Sequence, residues 1–138
     1  MNVTAVIQQI LDTTLLPFGV LSNHLRRVKT ESIENMQVKV NNDEYVVYRV
    51  VSNTPKTYGD GNALTRRVYI DVNYYYLYEK TDPRYSGVDE RLKAIKRAII
   101  ADPHFRIAND ETDIPDGDNR YRGVNMEFVY VGAVDYGK

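Results

Sequence analysis

Residues 66–79 read RRVYIDVNYYYLYE, and the alternation within them decides the fold. Val68, Ile70, Val72, Tyr74, Tyr76 and Tyr78 take every second position; Arg67, Tyr69, Asp71, Asn73, Tyr75 and Leu77 stand between them. Successive side chains of a strand point to opposite faces. The first set therefore predicts a face packed on helices, and the second a mixed face toward solvent or a neighbouring subunit. Upstream, EYVVYRVVS at 44–52 is rich in β-branched and aromatic residues and predicts a second strand. Downstream, a strand is expected from Tyr121 to about Val134, with Val124, Met126, Phe128 and Tyr130 sharing one face. A short strand is expected at Phe105–Ala108.

Helices frame these strands. Val3, Val6, Ile7, Ile10, Leu11 and Leu15 recur at helical spacing and predict an amphipathic helix over 3–16. Pro17 and Gly19 stop it. Leu21, Leu25 and Val28 read as a shorter helical or turn piece. Ser86, with Asp89 three residues on, resembles a capping box. Val88, Leu92, Ile95 and Ile99 then make a buried stripe, with Arg91, Lys93, Lys96 and Arg97 mostly outside it. Asp102-Pro103 ends that helix. Two helices over one mostly antiparallel sheet bury both stripes, so the expectation is a single α+β domain over residues 1–138. Two long extended loops complete it. Residues 53–65 are broken by Pro55, Gly59 and Gly61, and residues 109–119 are acidic.

The chain has 138 residues, no cysteine, and 18 basic against 19 acidic residues for a net charge of −1. It is long enough for one core without staples, and disulfides and thiolate metal sites are excluded. A protein devoted to the DNA backbone carries a basic excess that is missing here. The apolar stretches fall far below the roughly 20 residues that span a bilayer, so no membrane association is expected. Asp12 and the lack of leading basic residues argue against a signal peptide in residues 1–20. A soluble protein of the cytoplasm is the expectation. Twelve tyrosines and no tryptophan suit half-buried strands and subunit contacts.

Catalytic signatures are scarce. His24 and His104 have no second histidine or carboxylate at helical spacing, so no metal-binding helix motif is present. No G-x-S-x-G occurs. Gly59-Asp60-Gly61 lacks the third glycine of a phosphate loop, with Leu64 in its place, and reads as a turn. Asp110, Glu111, Asp113, Asp116 and Asp118 form the densest charge cluster. It reads as a solvated loop, as an acidic surface presented to a partner or to a lumen through which DNA slides, or as a cation or ligand site. Calcium prefers several oxygen ligands, but from Asn109 the sixth position is Ile114 and the twelfth Arg120, so the EF-hand register fails. Arg66, Arg67, Tyr69, Tyr75 and Tyr76 raise a nucleic-acid stacking platform, which Asp71 and the overall charge oppose. No enzyme activity and no cofactor are expected. Tyr58, Arg67, Tyr69, Tyr75 and Leu77, from the first long loop and the mixed strand face, are the candidate subunit-interface residues.

RRVYIDVNYYYLYE (66–79), RLKAIKRAIIADPHFRI (91–107), the acidic loop and YRGVNMEFVYVG (121–132) together resemble small tail-completion proteins of long-tailed phages, the tail terminators and tail-to-head joining proteins. The resemblance covers roughly residues 66–132. It implies a subunit of a virion or prophage neck that forms a ring, hexameric in that family, with copies of itself. Such a ring caps the tail tube, stops its polymerisation and meets the head completion or connector protein. DNA passes through it only as cargo, and assembly takes place in the host cytoplasm. The family offers no catalytic residues to carry over.

Overall fold

A computed structural model describes residues 3–26, 44–59, 62–77, 85–115 and 121–133. The elements are α1 (Val3–Leu15), β1 (Leu21–His24), β2 (Glu44–Gly59), β3 (Asn62–Leu77), α2 (Tyr85–Ile100), β4 (Phe105–Pro115) and β5 (Tyr121–Ala133). They make an α+β fold: one five-stranded sheet, in the order β1-β2-β3-β5-β4, with both helices on one face. β1 runs parallel to β2, and every other pairing is antiparallel.

The alternation in β3 works as the sequence predicts. Val68, Ile70, Val72, Tyr74 and Tyr76 are buried in the core with Val124, Met126, Phe128 and Tyr130 of β5; Tyr78 lies outside the described residues. Ile7, Leu11 and Leu15 of α1 and Leu92, Ile95 and Ile99 of α2 close over them. Each such side chain, taken out of water, stabilises the fold by about 1.5–3 kcal/mol. Polar links fix the helix position as well. The Tyr48 hydroxyl on β2 donates to Gln8 Oε1 on α1 at 2.7 Å, and Gln8 Nε2 donates to the Ser22 carbonyl of β1 at 3.1 Å. After α1 the chain makes a 3-10 turn at Leu16–Phe18, and Gly19 takes the left-handed conformation, φ 73°, with its N–H on the Leu16 carbonyl. Glycine adopts that conformation without a Cβ penalty, so Pro17 and Gly19 end the helix as expected.

Four expectations need correction. Leu21 does not begin a helical piece: residues 21–24 form β1, whose register places Leu21 beside Tyr45 and His24 beside Tyr48. Leu25 then turns left-handed, φ 72°, with its N–H on the Tyr48 carbonyl; Val28 lies outside the described residues. Residues 53–59 and 62–65 are not loop but strand, since β2 continues to Gly59 and β3 begins at Asn62; residues 60 and 61 lie outside the described residues. Among the described residues β1 flanks β2 only over Tyr45–Tyr48, so Pro55 has no described strand on that side and Pro is tolerated at such an edge, where no ladder donor is required. Irregular register at Val50/Ser52, Pro55/Thr57 and Thr57/Tyr58 absorbs the rest as bulges.

The acidic segment is likewise largely strand. β4 runs to Pro115 and carries Asp110, Glu111 and Asp113, while Asp116 and Asp118 lie outside the described residues. β4 is an edge strand, and charge along an edge discourages pairing with other chains, so acidity there is compatible with strand structure. Lastly, α2 starts at Tyr85, so Ser86 stands inside the first turn rather than ahead of it as a cap. Asp89 instead pairs with Lys93 one turn on, at 3.0 Å.

Candidate association surface

The sheet face away from the helices has no helix over it among the described residues, and its side chains fall into cross-strand rows fixed by register. The first row runs Tyr45, Tyr75, Gly123 and Ile114 over β2, β3, β5 and β4. Tyr45 stacks on Tyr75 with ring centroids 4.9 Å apart and meets Tyr121 edge-on at 5.5 Å. Such pairs contribute about 0.5–1.5 kcal/mol beyond their buried area. Gly123 permits this packing: a Cβ there would lie 2.8 Å from both Ile114 Cγ1 and Tyr75 Cε1.

The second row, Val47, Asn73, Asn125 and Thr112, is uncharged, and Asn125 Nδ2 donates to Asn73 Oδ1 at 2.8 Å. The third carries the charges: Arg49, Asp71, Glu127 and Asn109. Arg49 Nε reaches Asp71 Oδ2 at 3.3 Å. Burial, then the charge and hydrogen bond of Asp71, hold the Glu127 carboxyl above the ordinary glutamate range. Beyond it Tyr69 stands beside Val129, and Arg67 beside Val131. Arg67 Nη1 donates to the Tyr69 hydroxyl at 3.3 Å, while its buried Nε has no hydrogen-bond partner among the described residues.

Of the sequence-selected residues, β3 therefore brings Arg67, Tyr69, Tyr75 and Leu77 onto one half-buried face. The backbone places Tyr58 far from them, near the tip of the β2–β3 hairpin, where it pairs with Ala63. The acidic residues form a separate region on the opposite edge of the sheet. There Lys96 of α2 bonds Asp110 Oδ1 at 3.2 Å and Glu111 Oε2 at 2.5 Å. The Asp110 carboxyl lies below the usual aspartate range because it accepts the Glu111 backbone N–H and then the Lys96 ammonium. Among the described residues no group of three or more histidine, cysteine or acidic residues is arranged to hold a metal ion.

Sequence reasoning missed one polar cluster, under the helices. Glu44, the first residue of β2, accepts hydrogen bonds from the Tyr74 hydroxyl and from Arg91 of α2, whose Nη2 lies at 2.5 Å. Arg91 Nε also donates to the Tyr74 oxygen at 2.8 Å, and its guanidinium lies 5.8 Å from the centre of the Phe18 ring. The two ion-paired side chains are 14 % and 7 % exposed, so Arg91 is not on the solvent side of α2 as expected. Burial, reinforced by the neighbouring Glu44 carboxylate, pushes the Tyr74 phenol far above its ordinary value. The available signal was positional, since Arg91 stands one turn after Val88 and borders the apolar stripe. This cluster ties α2 to two strands and gives the molecule no evident reaction chemistry.

No family model matches the chain, and no curated protein matches it. A solved structure bearing no functional name is similar over 97 % of this chain and 97 % of its own, at 12 % identity and a TM-score of 0.45, a likeness that carries no inference about function or fold. No helix among the described residues is long and apolar enough to cross a membrane.

Proposed function

We propose that this protein is a structural subunit of a phage or prophage virion. Copies close into a ring at the head–tail junction, where the ring terminates the tail tube and meets the head completion or connector protein. The observation that carries the reading is the sheet face with no helix over it among the described residues, where Tyr69 lies on one side of the charged row and Tyr45, Tyr75 and Tyr121 lie on the other. Tyrosine is among the residues enriched at protein–protein contacts. The resemblance of residues 66–132 to tail-completion proteins names the assembly, and the sixfold ring rests on that resemblance. Side chains work here by contact and not by making or breaking bonds; no cofactor takes part. DNA passes the ring as cargo.

The test is tube capping. Purified protein is added to polymerising tail tubes of a long-tailed phage from the same host, and products are imaged by negative stain. Tubes that stop growing and carry a ring at one end are the expected result. Tubes of unchanged length with bare ends, together with absence of the chain from purified particle necks, would overturn the proposal.

A further inference from the structure

Two carboxyl groups stand directly opposite each other on the sheet face away from the helices. Asp71 of β3 is in register with Glu127 of β5, and on its other side with Arg49 of β2. Opposed side chains on antiparallel strands have their Cβ atoms about 5 Å apart, and like charges there repel. Arg49 supplies one cation, with its Nε 3.3 Å from Asp71 Oδ2. Glu127 makes no salt bridge among the described residues. The fully ionised row therefore holds one positive and two negative charges, and a single proton on the pair makes it neutral. We infer that Asp71 and Glu127 form a proton-operated latch on association, closed against a second copy when the pair holds one proton and opened when it holds none. This inference rests on the ring reading above and gives that contact its regulation.

The position of the row supplies the coupling. Tyr69 lies on one side of it and Tyr45, Tyr75 and Tyr121 on the other, so a copy that covers both aromatic groups also covers the carboxyls. The Asp71 side chain is only 13 % exposed in the single chain, against 61 % for Arg49. Covering the row withdraws the water that still reaches Glu127, and a carboxylate without its own cation loses most from that. The single chain already leans the same way, since burial, then the Asp71 charge and hydrogen bond, hold the Glu127 carboxyl above its ordinary range. The other groups around it do not take the proton's place. Asn73 and Asn125 bond each other, and Asn109 opposite Glu127 is uncharged. Arg67 is bonded to the Tyr69 hydroxyl. Arg106, opposite Val129, is exposed and without a salt bridge among the described residues. Asp110 and Glu111, next to Asn109 on β4, are bonded to Lys96 of α2. Association thus tightens the hold of Glu127 on its proton. It is fully favoured below the free chain's titration range and weakens as pH rises through that of the assembled copy.

The experiment follows assembled mass by light scattering, on the full chain at fixed salt, from about pH 5 to about pH 8. Wild-type association is expected to weaken as pH rises, by at most about tenfold per pH unit, the limit for one proton per copy. Glu127→Gln has the shape of the protonated acid and cannot ionise, so it is expected to stay assembled across the range. Asp71→Asn removes the opposing charge and leaves Arg49 to Glu127, so it too is expected to flatten the profile. Thermal melts check folding, and either variant serves if the other does not fold. Wild-type rings of unchanged mass across the range, or a variant profile as steep as the wild type's, overturn the inference and leave the ring reading standing. A wild type that stays a single chain at every pH, alone and with tail tubes, overturns both.

Discussion

The two faces of β3 differ in what they do with the same kind of residue. On the helix side Tyr74 is wholly buried and its hydroxyl is committed to Glu44. On the other side Tyr75, the next residue, is half-buried and stacks on Tyr45, with no helix over that face among the described residues. Buried aromatic surface with a satisfied polar tip holds one fold together; on the proposed reading the same kind of ring on the half-covered face meets a second molecule. On the proposed reading a single strand divides the labour, with stability on one face and association on the other.

Four changes would break or sharpen that comparison. Phe128→Ala, on the buried face, should lose about 3–5 kcal/mol in denaturant unfolding, because the cavity adds to the lost transfer energy. Arg91→Ala should cost about 3 kcal/mol by leaving the Glu44 carboxylate buried without its cation. Tyr75→Ser, on the half-covered face, should cost about 2 kcal/mol of monomer stability, the lost stack together with half-buried area, while sharply reducing assembled mass. A loss in unfolding as large as that of Phe128→Ala would erase the division between faces.

The fourth is a titration, whose effect is confined to the ends of the pH range. Burial, then the Asp12 charge, push the Tyr48 phenol up from 10.0 to about 12, so the fold favours its neutral form. That contribution is complete below pH 10 and disappears as pH rises from 10 to about 12; Tyr48→Phe should flatten this part of the stability profile. Glu127 has the same sign at lower pH. Its contribution is present below its ordinary value of 4.5 and fades as pH climbs above it, and Glu127→Gln should remove the slope.

Periodicity made the buried face legible in the sequence. Val68 through Tyr76, the α2 stripe and Val124 through Tyr130 all fell on the predicted side, because burial imposes a period on residue type. Edges impose no such period, and there the reading failed. Pro55 looked like a breaker, yet a strand edge needs no donor from it. In sequence, Asp-Gly is a dipeptide favoured between paired strands, and at 60–61 it was the available signal that the flanking segments pair as β2 and β3. Acidic β4 looked like a loop because strand propensities describe half-buried surface, and its residues Arg106 to Asp113 are all exposed. The row Arg49–Asp71–Glu127 could not be read at all, since it depends on register between strands far apart in sequence.

The division of labour on β3 is tested most directly by the solution mass of the wild type beside a Tyr69→Ser, Tyr75→Ser variant, measured by light scattering at equal concentration. The account predicts a closed multiple of the 15.9 kDa chain for the wild type and a folded single chain for the variant. Equal masses for the two, whether both assembled or both single, would contradict it.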